Sequence, residues 1–168
     1  MITSMTLTGD RIGRLDVAIA LFVSAAAVLM MVGQAGNETR DVSVVAAPFA
    51  LALTIPLLWR RAAPVPAIAV SLAALLVYAA VFGGGGMITC FFTVPMLLLF
   101  AYAAGAQLPD DVTRRGLGLS LAFALAICLT DGPDGATPES IVFVGPIAAA
   151  LWGLGRLVRS RTAMAAEL

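Results

Sequence analysis

Long uncharged apolar runs, each closed by a short polar patch, constrain this chain more than any other feature. Six runs stand out, at 17–33, 42–59, 66–82, 87–106, 117–130 and 141–158. A helix needs about 20 mostly apolar residues to cross a bilayer, within a range of about 17–25. All the runs except the fifth reach that range. Stretches such as 67–82 do not alternate apolar and polar residues, as the strands of a membrane barrel would. They are rich in Ala and Leu, which favour helix. The expected fold class is therefore all-α: a polytopic transmembrane bundle of six helices. Composition agrees, with 61% of the 168 residues hydrophobic and 12% charged. Soluble domains carry about 45–50% and about 25%. Mean hydropathy is +1.00, which excludes a water-soluble globule of this size.

The breaks between runs carry turn chemistry. Gly33 closes the first run, and the polar stretch 34–41 follows it. Ala63-Pro64-Val65-Pro66 ends one helix and starts the next, because proline suits a first helical turn and not an interior. Gly83 to Gly86 form a four-glycine turn. The stretch 107–115 holds Pro109, two Asp and two Arg, and 131–140 mixes Gly, Pro, Asp and Glu. Pro48 and Pro56 fall in the second run, Pro95 in the fourth and Pro146 in the sixth. Each is a candidate kink, although membrane helices carry such prolines without any hinge role.

Orientation follows from arginine, the only basic residue type present. Arg11 and Arg14 precede the first run, Arg60 and Arg61 follow the second, and Arg114 and Arg115 precede the fifth. Arg156, Arg159 and Arg161 end the sixth. Six alternating crossings put all of these on one side and leave only Arg40 on the other. The positive-inside rule then predicts that both termini are cytoplasmic, in a multi-pass plasma-membrane protein. Trp59 and Trp152 fall near the same interface, where aromatic belts form. The expected organisation is a cytoplasmic tail over 1–15, a membrane domain over 16–158, and the start of a cytoplasmic helix over 159–168. The first run is longer than a cleaved signal core and lacks a small-x-small site after it, so it is read as a retained span.

Several function classes drop out. There is no His, which removes His-based triads, His metal ligands and a phosphoaccepting His from this chain. Two Cys cannot build a four-Cys zinc site. The expectation is no catalytic residue, no cofactor and no metal. A net charge of zero gives no electrostatic footprint for nucleic acid. No Asp, Glu or Arg occupies the middle third of any run, which disfavours an ion-coupled transporter. Asp16, at the first helix's start, is suited to cap that helix and complement its dipole. Ser71, Thr89, Thr93 and Ser120 are too sparse to line a channel. The acidic stretch 131–139 lacks the spacing of a calcium loop and reads as a solvated loop. Cys90 and Cys128 sit at similar expected depth near the outer face. They form either an outer thiol pair or two buried apolar thiols, and the second reading is preferred.

The last stretch suits a helix that leaves the membrane. Leu157, Met164 and Leu168 are spaced by seven and four, as in one strand of a coiled coil, although too few heptads are covered to decide this. Trp152, Arg156, Arg159 and Arg161 are the candidate signal-exit residues, set to fix the depth and register of that helix.

At these residues a resemblance enters. Pro56-Leu57-Leu58-Trp59-Arg60-Arg61-Ala62-Ala63-Pro64-Val65-Pro66 resembles the PLxWRRxAPxP signature of actinobacterial sensor histidine kinases of the NarL/DesK-type subfamily, in their amino-terminal membrane domain. Phe100-Ala101-Tyr102-Ala103-Ala104 resembles that domain's next marker. Ala150-Leu151-Trp152-Gly153-Leu154-Gly155-Arg156, with Val158-Arg159-Ser160-Arg161 and Ala166-Glu167-Leu168, resembles the segment leading into the dimerisation helix. The likeness covers about residues 10–168. It implies a membrane anchor and signal-input role in a two-component phosphorelay. The phosphoaccepting His and the ATP-binding domain would lie in a cytoplasmic part absent from this chain. The resemblance also implies a homodimer formed through that absent part. The other expected partners are the lipid bilayer and another membrane protein. Small outer loops argue for a stimulus that reaches the membrane region itself. The alternative expectation is a standalone small integral membrane protein, an accessory subunit or carrier.

Overall fold

The computed structural model describes residues 14–33, 42–82, 86–130 and 138–166. Every regular element among them is helical. The α-helices are α1 (Arg14–Gly33), α2 (Val42–Thr54), α3 (Pro64–Phe82), α4 (Gly86–Gln107), α5 (Asp110–Leu129) and α6 (Pro138–Ala166). A 3₁₀ helix, Ile55–Trp59, follows α2 directly. By length and composition, α3, α5 and α6 each suffice to cross a membrane, as expected of a membrane protein. Shorter apolar helical stretches run over Asp16–Leu29, Pro48–Trp59 and Thr93–Gln107. Arg11, Arg40, most of the four-glycine turn, the 131–137 stretch, Glu167 and Leu168 lie outside the described residues. So do the side chains of Arg14 and Cys90.

Two elements differ from the apolar runs for physical reasons. The helix of the fifth run begins at Asp110 rather than at 117. Pro109 precedes it, and its carbonyl accepts the backbone N–H groups of Val112 and Thr113 at 3.1 and 2.8 Å. Asp110 and Asp111 in the first turn suit the positive end of the helix dipole. The charges that resemble a loop in sequence are therefore the wet first turns of a helix, and Arg114 and Arg115 are exposed there. The second run is not one α-helix. It tightens to 3₁₀ at Ile55, one residue before Pro56. In the 3₁₀ register the Leu53 carbonyl would take its hydrogen from residue 56, and proline has none to give. Ser71 of α3 supplies the hydrogen instead, its Oγ lying 2.8 Å from the Leu53 oxygen. Pro48, Pro95 and Pro146 sit inside α2, α4 and α6 without interrupting them.

The helices pack in the order α1 on α2, α2 on α3, and α3 on α5. α5 meets α4 and α6, and the broadest contact is between α4 and α6. The core is made of Leu57, Ile68, Leu75, Met96, Leu97, Phe100 and Phe123, all fully buried. The Phe100 and Phe123 rings join α4 to α5 edge-to-face, with centroids 6.2 Å apart and an interplanar angle of 88°. Such a pair is worth about 0.5–1.5 kcal/mol beyond its buried area. In lipid the apolar surface gains nothing from leaving water, so this kind of close packing and the interhelical hydrogen bonds must hold helices together. Buried hydroxyls serve the backbone. Ser120 donates to the Gly116 carbonyl at 2.9 Å, and Thr54 to the Ala50 carbonyl at 2.9 Å, while Thr54 also meets Ser24 of α1 at 2.7 Å.

Candidate site at the exit of the last helix

α6 continues unbroken for 29 residues, through Trp152 and the arginines beyond it. Trp152, Arg156 and Arg159 are spaced four and three apart, so they share one face of that helix. All three meet the turn between α4 and α5. The Trp152 indole Nε1 donates to Thr113 Oγ1 at 3.1 Å, and Thr113 Oγ1 donates to the Ala104 carbonyl at 3.3 Å. Arg156 pairs with Asp110 in the first turn of α5. Arg159 donates to the Leu108 carbonyl, just past the end of α4. The last carbonyls of a helix have no partner within it, and a cation there also opposes the negative dipole end. One face of α6 therefore grips the end of α4 and the start of α5 together.

Just below the grip the two backbones touch. Gly105 of α4 faces the Trp152 carbonyl and lies so close that a Cβ there would overlap it and sit 3.2 Å from the Arg156 nitrogen. A Cβ on Gly155 would lie 2.5 Å from the Tyr102 oxygen and 2.8 Å from the Ala106 nitrogen. Gly116 brings α5 against side chains at the end of α4: a Cβ there would lie 2.6 Å from Leu108 Cδ1 and 2.9 Å from the Ala104 Cβ. Close approach through small residues is the usual means of joining helices in a membrane.

A second ionic cluster ties α1 to the turn before α3. Asp16 is 2% exposed and accepts from Arg60 Nη2 at 2.8 Å and from Arg61 Nε at 3.0 Å. Arg60 is buried, whereas the Arg61 side chain is 53% exposed. Arg60 Nη1 is buried with no partner among the described residues. Asp16 thus does more than complement its own helix end: it neutralises a buried guanidinium 44 positions away. Trp59 closes the 3₁₀ helix beside this cluster, partly exposed, and its carbonyl accepts from the Ala63 nitrogen at 2.8 Å.

The sequence-predicted residues thus fall into separate places. Trp152, Arg156 and Arg159 converge on the α4–α5 turn. Arg161 does not join them and is exposed on another face of α6. Arg60 and Arg61 join Asp16, while Arg114 and Arg115 point outward from α5. Cys128 is buried near the end of α5. Asp110, Thr113, Gly105 and Gly155 complete the grip and were not foreseen from sequence. The spacing of Thr113 and Asp110 to Pro109 held a usable signal, because a proline followed by acids marks a helix start. No group of three or more Cys, Asp or Glu able to hold a metal occurs among the described residues.

The Trp152 bond can be isolated. Trp152→Phe keeps the ring in place and removes the donor, so the chain should lose about 0.5–1.5 kcal/mol. Thermal unfolding of the purified chain in detergent measures this, and an unchanged midpoint would assign the residue to packing alone.

No curated protein and no solved structure matches the chain. One family does, described as a domain of unknown function (DUF7134), over residues 9–162. With nearly its whole length matched, the chain belongs to the DUF7134 family.

Proposed function

We propose that this chain is the membrane anchor and signal-input domain of a two-component sensor histidine kinase of the actinobacterial NarL/DesK type. In this reading six helices cross the plasma membrane and both termini are cytoplasmic. The arginine pattern supports that orientation, with nine of ten on one side of the alternating runs. The observation that carries the functional reading is the grip on α6. Trp152, Arg156 and Arg159 fasten the emerging helix to the junction of α4 and α5 at three successive levels. Any rearrangement that moves the α4–α5 hairpin must move α6 with it. A stimulus acting on the membrane region shifts the populations of two helix packings, and the difference leaves the membrane along α6. The chain itself supplies no phosphoaccepting His. Its part is to deliver the motion to a dimerisation and kinase region beyond.

The test begins with the coding sequence after Leu168. A helix carrying a phosphoaccepting His, followed by an ATP-binding domain, is expected there. An immediate stop codon would overturn the reading in favour of a standalone membrane subunit or carrier. In the full-length protein, Arg156→Ala combined with Arg159→Ala should alter ATP-dependent autophosphorylation while membrane insertion stays normal. Unchanged autophosphorylation would leave these arginines as interface anchors only.

A further inference from the structure

The cluster of Asp16, Arg60 and Arg61 is unbalanced both in charge and in hydrogen bonds. One carboxylate faces two guanidiniums, 2.8 Å from Arg60 Nη2 and 3.0 Å from Arg61 Nε. Among the described residues the trio therefore keeps one net positive charge. The Arg60 side chain is 7% exposed, and its Nη1 has no hydrogen-bond partner among the described residues. A guanidinium carries five N–H donors in a fixed fork, and a buried donor left unmade costs free energy. Arg61 is more than half exposed, so the trio has one closed and one open end. The surplus charge lies just before α3, whose first turn is the positive end of its dipole. Backbone donors are few there. Pro64 and Pro66 have no N–H, and that of Ala67 is already held by the Ala63 carbonyl at 3.1 Å. An anion bound here is held by the arginines and not by amides.

A water would supply an acceptor but not the missing charge. An anion supplies both. The level of the cluster selects its kind. Arg60 follows Trp59, which is partly exposed at the end of the apolar helical stretch Pro48–Trp59. Aromatic belts sit at the depth of the lipid headgroups. Basic pockets between helices at that depth bind headgroups, and the guanidinium fork matches phosphate oxygens. We infer that Arg60 and Arg61 hold the phosphate of an anionic phospholipid headgroup at the start of α3. Arg60 stays seated on Asp16 through Nη2. Arg61, the exposed member, swings from the carboxylate to the phosphate and opens the way to Arg60 Nη1. Leu51 and Ile55, exposed on the same stretch, are available to the acyl chains. Lipid covers such side chains all round the bundle, so the buried guanidinium chooses the site and they do not. Arg114 and Arg115 are both exposed and attract lipid only as surface charges.

This inference needs the chain to lie in a membrane and does not rest on the kinase reading. The test uses the purified 168-residue chain in a neutral detergent, titrated with phosphatidylglycerol, phosphatidylcholine or inorganic phosphate. Native mass spectrometry reads the retained lipid, and thermal unfolding reads the stabilisation that binding confers. Phosphatidylglycerol should be retained several-fold more than phosphatidylcholine. It should also raise the unfolding midpoint where inorganic phosphate at the same concentration does not. Arg61→Ala should weaken retention several-fold. Asp16→Leu combined with Arg60→Met should abolish the preference although the net charge of the chain is unchanged. Arg114→Ala combined with Arg115→Ala removes two positive charges outside the cluster and should leave the preference largely intact. Equal retention of the two lipids overturns the site. So does a loss in the Arg114 and Arg115 variant as large as that in Arg61→Ala, which would reduce the effect to general basic attraction. Stabilisation by inorganic phosphate equal to that by phosphatidylglycerol overturns the lipid assignment. Should the Asp16 and Arg60 double variant fail to fold, Arg61→Ala against the Arg114 and Arg115 variant still decides. No readout involves ATP, so failure here is separable from failure of the kinase reading.

Discussion

Asp16→Asn should unfold this chain more readily than any other single change of a charge. It leaves Arg60 buried, ionised and without its counter-charge, a situation that costs about 3–5 kcal/mol when a buried pair loses one partner. Asn keeps the shape and one acceptor, so the loss is electrostatic and not a cavity. Arg61→Ala removes the half-exposed member of the same cluster and should cost only about 0–1 kcal/mol. The double change Asp16→Leu with Arg60→Met removes both buried charges and should recover most of the stability, because an apolar pair of similar volume avoids the desolvation cost. Denaturant titration in detergent ranks the four proteins. Equal midpoints for Asp16→Asn and Arg61→Ala would show that the burial of Arg60 carries no penalty.

The second large effect belongs to the glycine contact. Gly105→Val places a branched Cβ where the Trp152 carbonyl already stands, and Gly155→Val does the same against the Tyr102 carbonyl. Backbone cannot rotate away as a side chain can. Overpacking typically costs about 1–3 kcal/mol and occasionally more, and the upper end applies where both neighbours are main chain. α6 should separate from α4, and the Trp152, Arg156 and Arg159 contacts should loosen with it. Gly153 supplies the control on the same helix. A Cβ there meets nothing within 4 Å. Gly153→Ala should therefore stabilise the helix by about 0.5–1 kcal/mol through backbone entropy. Destabilisation by Gly153→Ala equal to that by Gly155→Val would sink the close-contact account.

The helical character of the chain was legible because apolar runs of this length leave the backbone one way to satisfy its own polar groups in lipid. Trp152, Arg156 and Arg159 were legible as a set, since four-and-three spacing puts them on one face. Arg161 lies close to them in sequence, but its position on the helix separates it. What stayed hidden depends on distance along the chain. Nothing near Asp16 announces Arg60. One contacting glycine on each helix, Gly105 and Gly155, does not form a GxxxG pattern, so the α4–α6 contact left no such motif. The start of α5 was obscured by its charges, which suit a wet first turn as well as they suit a loop. The 3₁₀ segment after Thr54 follows from Pro56, but the hydroxyl that completes it comes from Ser71, on another helix.

The grip on α6 also fixes the mechanics of that helix. It acts as a fulcrum placed off-centre. From Pro138 to Trp152 the amino-terminal arm is about 21 Å long, and from Arg159 to Ala166 the carboxy-terminal arm is about 10 Å, at about 1.5 Å per residue. A tilt of the amino-terminal arm, which must carry its packed Val144, Ala148 and Leu151 along, would reach the far end at roughly half its amplitude and in the opposite direction. Rotation about the long axis suffers no such reduction, because torsion does not depend on arm length. In the proposed signalling role, a lever of these proportions would filter its input: tilting would be damped and twisting would pass whole.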